Sequence, residues 1–231
     1  SGFAGINGSE PGAIRPMQYP YLDFNASCFF ASGVMVALAA RERTGEKQQV
    51  TCTQLGSAIA LQINGVAELF STGVNPTARG SASPSTAPHQ AFQCQDLRYL
   101  ALGIENDSQW QGLCSALETK ELAIDPRFST NEARVGNRDE LTTILNSVFK
   151  TKPARWWAIK LTDNQVPHGY FYDFDTLRNH RQMVENDYIL DLIAPDHGPM
   201  IVGGLPWAFS KTAGGVRPAP TPGQNNEELI N

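Results

Sequence analysis

The chain has 231 residues, 41% of them hydrophobic, and a formal net charge of −5 at neutral pH. This length is sufficient for a large hydrophobic core and more than one lobe, while the negative charge disfavours strong binding to nucleic acid. We expect no membrane association, because no apolar run is expected to reach the ~20 residues of a membrane span. We also expect no signal peptide, because no cleavage-site pattern is evident. These features predict an intracellular protein, with the cytoplasm as the expected compartment and an organelle as the alternative.

The first strong pattern in chain order is a helix of small and apolar residues that begins at Asp23 and continues to Ala40. Asp23 suits the N-cap, because its carboxylate can accept hydrogen bonds from the first free N–H groups of a helix. Arg41 and Arg43 suit the last turn, and Gly45 suits a left-handed C-terminal stop. Apolar residues at three- and four-residue spacing predict one buried face, formed by Phe24, Cys28, Ala31, Met35 and Leu38.

Two roles for Asp23 follow from this position. The carboxylate can be a structural cap, which is the ordinary role of Asp at the start of a helix. It can also be a nucleophile, because a carboxylate that the helix dipole holds ionised can attack a thioester carbonyl and form a covalent acyl intermediate. Residue spacing alone leaves both roles open.

The chain after this helix is predicted to form a strand at Gln49–Thr53, a helix from Leu55 to about Phe70, and a linker from Thr72 to Pro88. The linker is rich in Pro, Ser, Thr and Gly, which is typical of a passage between lobes. The following lobe is predicted to mix helices with a few strands. Its predicted strand is Arg98–Ile104. Its predicted helices are Gln109–Leu117, capped by Asp107 or Ser108, a helix from Asp139 toward Phe149, and a helix after Pro153.

Two further local patterns are informative. Ser129 and Glu132 have the spacing of a capping box at a helix start. Nearer the C terminus, two extended runs flank a turn of Pro-Asp-His-Gly, and this pattern predicts a hairpin of Tyr188–Ile193 with Met200–Val202.

The four cysteines and four histidines are scattered along the chain. The cysteines lack the paired spacing of zinc or redox sites, so we expect reduced structural thiols and a reducing compartment. The histidines show no spacing typical of zinc ligands. The sequence therefore predicts no metal.

An ordered set of motifs covers residues 1–50. Ser1-Gly2 precedes a Gly- and Pro-rich approach at Gly8–Pro16, and after Asp23 and its helix come Arg-Glu-Arg-Thr-Gly at Arg41–Gly45 and Gln-Gln-Val at Gln48–Val50. This order resembles the family III CoA-transferases, also called the CaiB/BaiF family, which includes the acyl-CoA racemases. The family usually reads Gly-Gln where this chain has Lys-Gln, a small departure. The resemblance continues through LAIDPRF, RVGNRDEL and the Val-Pro strand of VPHGYFYDF.

The resemblance implies roles for three acidic residues. In the transferases the residue matching Asp23 is the nucleophile, which forms aspartyl-acyl and aspartyl-CoA intermediates during CoA transfer between carboxylic acids. In the racemases the matching residue is an acid/base for the carbon next to the thioester, so Asp23 would then move a proton. The racemases place a second acidic residue near Glu105 and Asp107, which compete for that match and otherwise have turn or cap roles. Acyl-CoA is the implied substrate, and CoA the group transferred.

The resemblance also implies an α/β fold. Residues 1–75, with the Asp23 helix, and residues 186–231 would belong to part of a doubly wound, Rossmann-like large domain, and residues 76–185 would form an inserted smaller α+β domain. The family's preceding half, which carries most contacts to the CoA nucleotide, is expected to be missing. The chain would then be a subunit completed by another polypeptide, a fragment or processed product, or a protein that has lost activity. The expected assembly is an interlocked homodimer or a heteromer with the N-terminal half. A third functional interpretation is a non-catalytic subunit or pseudoenzyme.

Overall fold

The structure is a computed structural model that describes residues 2–8, 12 and 14–230. Ser1 and four residues of the predicted Gly- and Pro-rich approach, at positions 9–11 and 13, lie outside the described residues. The chain divides into two compact units, Ser1–Tyr170 and Phe171–Asn231. Helices and strands are mixed, as the α/β fold class predicts. The strand pairs among the described residues are antiparallel, so the doubly wound arrangement and its three-segment boundaries stay predictions.

The first unit begins with four helices: α1 (Phe3–Ile6), α2 (Tyr21–Thr44), α3 (Gln54–Leu61) and α4 (Ile63–Thr72). Helix α2 starts two residues before Asp23 and has Pro20 at its N-cap, so the prediction of an Asp23 N-cap is wrong. Asp23 lies instead in the first turn, where the helix dipole still favours a carboxylate. The predicted stop is confirmed, because Gly45 adopts φ 76° and its N–H donates to the Arg41 carbonyl at 2.8 Å.

The apolar face predicted for α2 is not buried among the described residues. Phe24 and Met35 are 67% and 66% exposed, and no residue of this helix is buried. The physical reason is that apolar side chains project from every side of α2, while the helix packs against α3 along one side. By length and composition alone, α2 could also cross a membrane, which corrects the expectation that no run is long enough. A helix that is apolar all round is typical of the interior of a large protein as well.

The chain after α2 differs from two local predictions. Residues 49–53 form no strand, and Val50 lies close to α2, since a Cβ at Gly33 would lie 3.1 Å from the Val50 Cγ1. The single helix predicted from Leu55 is two helices that meet at Gln62. The side chain of Gln62 is buried and donates to the Ala58 carbonyl at 2.8 Å, which fixes the break.

A three-stranded antiparallel sheet and five helices form the rest of the first unit. The strands are ordered β1 (His89–Gln93), β2 (Tyr99–Gly103) and β3 (His168–Tyr170). The helices are α5 (Asp107–Ala116), α6 (Lys120–Ile124), α7 (Asn131–Gly136), α8 (Arg138–Phe149) and α9 (Ala154–Asp163). The core lies between sheet and helices and includes Phe92, Leu100, Trp110, Leu113, Leu141, Leu145, Phe149, Trp157 and Leu161. The predicted mixed lobe is thus confirmed in its main elements.

Two predicted caps are displaced by one residue or more. Helix α5 is capped by Asn106, whose side chain accepts from the Gln109 N–H, rather than by Asp107 or Ser108. Helix α7 is capped by Thr130 rather than by Ser129. In each case the actual cap accepts from the N–H three residues later, which satisfies one of the unpaired donors at a helix start.

Helix α5 lies close to the segment at the C-terminal end of α9 at Gly112. A Cβ at this position would lie 2.6 Å from the Asn164 carbonyl oxygen and 3.3 Å from the Val166 Cγ2. We expect Gly112→Ala to lower the free energy of unfolding by about 1–3 kcal/mol, because the backbone must move apart to admit the methyl group. Gly136→Ala is the matched control: a Cβ there meets nothing within 4 Å, and Ala favours a helix by up to about 1 kcal/mol. Urea denaturation measures both, and equal stabilities would contradict the close approach.

The second unit contains two short helices, α10 (Phe174–Arg178) and α11 (Arg181–Glu185), followed by a hairpin. Strand β4 (Ile189–Ala194) pairs antiparallel with β5 (Gly198–Gly203), with Leu190 opposite Val202. This confirms the predicted hairpin. A closing helix, α12, spans Asn226–Ile230.

Candidate active site

Asp23 presents its carboxylate at the start of α2. The side chain is exposed, and its Oδ1 accepts a hydrogen bond of 2.7 Å from the Gln54 Nε2 at the start of α3. Within residues 2–8, 12 and 14–230, no hydrogen bond or ion pair reaches the other oxygen, Oδ2. One carboxylate oxygen is therefore held by an amide donor, and the other has no polar partner among the described residues.

Asp23 also lies near the positive end of the α2 helix dipole. It is the third residue of a 24-residue helix, close to the unpaired N–H groups of the first turn. A negative charge there gains about 0.3–1 kcal/mol from the helix dipole. The helix dipole thus still acts on the Asp23 carboxylate, although the N-cap is Pro20 rather than Asp23.

A pocket of about 450 Å³ lies beside Asp23. Most of its lining is aromatic or aliphatic, and the polar side chains besides the tyrosines are Asp23 and Gln54. The lining residues are Phe3, Ala4, Pro16, Met17, Tyr19, Pro20, Tyr21, Leu22, Asp23, Gln54, Leu55 and Ala58. This volume is within the range of small-molecule sites, and an apolar wall with a few convergent polar groups is their usual composition.

Helices α2 and α3 are joined by hydrogen bonds that fix Gln54 relative to Asp23. Asn25 Nδ2 on α2 donates to the Ser57 carbonyl on α3 at 2.9 Å. Thr53 caps α3 by accepting from the Gly56 N–H at 3.1 Å, and this sets the backbone of the next residue, Gln54. No local pattern in the sequence points to Gln54, because its partner Asp23 is 31 residues away.

Glu105 and Asp107, the other predicted substrate contacts, lie at the start of α5. The Glu105 N–H donates to the Gln109 side chain at 2.8 Å, and the Asp107 Oδ1 lies 3.6 Å from the Arg134 Nη2. Neither residue lines the pocket beside Asp23. In the structure Glu105 contacts the first turn of α5 and Asp107 contacts Arg134 of α7, and their role toward a substrate stays a prediction.

The cysteines are free thiols in two environments. Cys28 is exposed and Cys52 is half-buried, whereas Cys94 and Cys114 are buried. Burial raises the pKa of the Cys94 thiol to about 11, with a smaller contribution from Asp96. Burial also raises the pKa of the Cys114 thiol to about 12, against an opposing effect of Arg134.

The described residues contain no group of three or more side chains placed to hold a metal ion.

These environments predict how the thiols react. With iodoacetamide at pH 8 we expect Cys28 to be alkylated first, Cys52 more slowly, and Cys94 and Cys114 only after unfolding, because the thiolate is the nucleophile. Peptide mass spectrometry measures each rate. The folded state also keeps two thiol protons that the unfolded chain loses above the ordinary pKa of 9.0, so the contribution of Cys94 and Cys114 to stability is constant below that pH and falls as the pH rises toward 11. Rapid alkylation of Cys114 in the folded protein would contradict the expected order of thiol reactivity.

Comparisons with known proteins agree on one family. The model of CoA-transferase family III matches residues 1–226. An acyl-CoA transferase of Fusarium pseudograminearum is 29% identical over all of this chain and 51% of its own length. Succinyl-CoA:glutarate CoA-transferase of Mus musculus is 29% identical over all of this chain and 53% of its own length. The chain thus spans about half the length of the curated relatives it matches.

Solved structures show the same fold. A CaiB/BaiF family protein from Brucella suis matches with a TM-score of 0.82 at 23% identity, over 99% of this chain and 59% of that chain. A protein from Mycobacterium tuberculosis matches with a TM-score of 0.81 at 23% identity, over 97% of this chain and 60% of that chain.

Proposed function

The chain belongs to CoA-transferase family III, and on this basis we propose that it takes part in CoA transfer between carboxylic acids, with Asp23 as the nucleophile. The observation that carries the proposal is the Asp23 carboxylate, which faces an apolar pocket from the first turn of a long helix with one oxygen unbonded among the described residues. A carboxylate in this position can attack a carbonyl carbon. The substrates are an acyl-CoA and a second carboxylic acid.

The reaction has balanced steps that need no other reagent. One oxygen of Asp23 attacks the thioester carbonyl, the C–S bond breaks, and CoA leaves as a thiolate, so that an aspartyl-acyl anhydride forms. The thiolate attacks the aspartyl carbonyl carbon, which releases the first acid and leaves an aspartyl-CoA thioester. The carboxylate of the second acid attacks this thioester. The freed thiolate then takes the new acyl group, and Asp23 is restored.

Trapping of the intermediate tests this proposal. The chain, together with any polypeptide that co-purifies with it, is incubated with succinyl-CoA or acetyl-CoA, the thioesters named for its relatives, and treated with hydroxylamine or borohydride before digestion. We expect a hydroxamate or an alcohol at position 23, because both reagents attack an activated acyl group. The matched control is Glu42→Gln, which removes an exposed carboxylate from the far end of α2. Absence of any change at Asp23 with a panel of acyl-CoAs would contradict covalent catalysis.

The exposed apolar surface of α2 supports a larger assembly. Phe24, Met35 and Val36 are each about two-thirds exposed, and aqueous exposure of so much apolar area is unfavourable. We propose that further polypeptide covers it, in an interlocked homodimer or in a heteromer with a chain that supplies the N-terminal half of the family. Cys28 reports on this surface. Its alkylation should slow at least tenfold in the assembly that forms in the native source, and unchanged alkylation would exclude a cover at that position.

Acyl-CoA racemisation is a second candidate function, since the same carboxylate can accept a proton from the carbon next to the thioester. In this reaction Asp23 forms no covalent adduct. Deuterium would then enter that carbon from D₂O without an acceptor acid. Exchange together with a failure to trap any adduct would favour the racemase over the transferase.

A non-catalytic role is the third candidate. The chain spans about half of its relatives, and the described residues that line the pocket beside Asp23 include no cationic side chain to bind the phosphates of CoA. The chain would then complete the fold of a partner. Intact mass and co-purification from the native source would show whether a second polypeptide accompanies it, and turnover by the isolated chain would remove this interpretation.

A further inference from the structure

We infer that the side-chain amide of Gln54 is the donor that stabilises the oxyanion when the aspartyl carbonyl is attacked, an inference that rests on the proposed function of Asp23. The contact that carries it is the 2.7 Å hydrogen bond from the Gln54 Nε2 to the Asp23 Oδ1. Both residues line the same pocket, so the amide acts where the substrate would react.

The hydrogen bond distinguishes the two oxygens of Asp23. Oδ1 accepts from Gln54, while no described residue bonds to Oδ2. Oδ2 is therefore the oxygen that attacks the acyl-CoA, because its lone pairs are free. Once the anhydride has formed, Oδ2 bridges the two acyl groups and Oδ1 is the carbonyl oxygen on the aspartyl side.

Negative charge develops on Oδ1 twice in the reaction. It first appears when the CoA thiolate attacks the aspartyl carbonyl, and again when the second carboxylate attacks the aspartyl-CoA thioester. An N–H donor already placed on that oxygen stabilises each tetrahedral intermediate, in the manner of an oxyanion hole. The first step, in which charge develops on the oxygen of the substrate acyl group, gains nothing comparable from Gln54.

The backbone around Gln54 supports a fixed donor. Gln54 is the first residue of α3, directly after the Thr53 cap, and α3 is tied to α2 by the Asn25 to Ser57 hydrogen bond. The backbone positions of Gln54 and Asp23 are therefore set before their side chains interact. Such preorganisation is what makes an oxyanion donor effective.

Single-turnover kinetics with succinyl-CoA test the inference in Gln54→Met, which retains the length of the side chain and removes the donor. We expect formation of the aspartyl-acyl adduct to change less than about tenfold, and its conversion to aspartyl-CoA to slow by about 10²–10³-fold. The reaction is quenched at successive times, and the mass of the Asp23 peptide is measured by mass spectrometry. The peptide should carry succinate in the variant and CoA in the unsubstituted chain. Gln49→Met, an exposed substitution outside this pocket, is the control and should behave as the unsubstituted chain.

A second measurement does not require catalysis. The Gln54 side-chain amide is assigned in a ¹H–¹⁵N spectrum by its absence in Gln54→Met, and one of its protons should move upfield in Asp23→Ala. No response would show that the contact is absent and would overturn the inference whatever the activity.

The kinetic outcomes separate the two ideas. If the unsubstituted chain forms the adduct and Gln54→Met converts it at the normal rate, or slows both steps equally, the inference on Gln54 is wrong while the proposed function stands. If the unsubstituted chain, together with any polypeptide that co-purifies with it, forms no adduct with any acyl-CoA, the proposed function fails, and the inference fails with it.

Discussion

Asp23→Asn is expected to lower the rate of CoA transfer by at least about 10³-fold, because the amide that replaces the carboxylate is a far weaker nucleophile. Asn is nearly the same size as Asp and can retain a hydrogen bond to Gln54, so the loss should appear in kcat while the fold is preserved. The assay follows acyl-CoA consumption and product acid by liquid chromatography, on the chain together with any polypeptide that co-purifies with it.

The control for this prediction is Glu42→Gln. It makes the same change of charge on the same helix, at an exposed position in the last turn. Its rate should remain within about twofold of the unsubstituted chain. Comparable rates for Asp23→Asn and Glu42→Gln, at equal thermal stability, would exclude Asp23 from the chemistry in both the transferase and the racemase reactions.

Arg134→Met is expected to cause the largest loss of stability, about 3–5 kcal/mol. The Arg134 side chain is only 1% exposed. Its Nε donates to the Ala87 carbonyl at 2.7 Å, its Nη1 donates to the Phe128 carbonyl at 3.1 Å, and the guanidinium lies 4.9 Å from the centre of the Trp110 ring. Met fills much of the volume but leaves two carbonyl oxygens without their donor, which is costly in a buried site.

Urea denaturation followed by tryptophan fluorescence measures this loss. Arg155→Met is the matched control, because Arg155 is exposed on α9 and has no hydrogen bond or ion pair to any described residue. Its effect should be within about 0.5 kcal/mol of zero. A loss below about 1 kcal/mol for Arg134→Met would show that the buried guanidinium does not hold these segments together.

Arg134 also shows what a motif can and cannot predict. It is the first Arg of RVGNRDEL, which was recognised as part of the family resemblance. Nothing in the spacing indicated that its side chain is buried, since a charged residue on a short helix is ordinarily exposed. Its partner Ala87 is 47 residues away, in the segment before β1. Contacts of this kind depend on how segments that are distant in sequence pack together.

The ends of the helices illustrate a smaller limit of prediction from sequence. Gly45 was predicted correctly as the end of α2, because the left-handed conformation favours Gly whatever surrounds it. The start of α2 was predicted two residues late, since Pro20 occupies the cap and contributes no side-chain hydrogen bond. Several polar residues in succession, as at Asn106, Asp107 and Ser108, can each cap a helix, and only backbone geometry selects one.

The amino-acid sequence by itself determined the fold class, the C-terminal hairpin, the end of the long helix and, through family resemblance, the carboxylate to examine. These features depend on neighbouring residues or on motif order, both of which are readable along the chain. The tertiary structure alone decided that Gln54 holds one oxygen of Asp23, that an apolar pocket adjoins it, and that the described residues leave no residue of α2 buried. Each of these depends on segments far apart in sequence, whose approach is set by the packing of the whole unit rather than by any local preference.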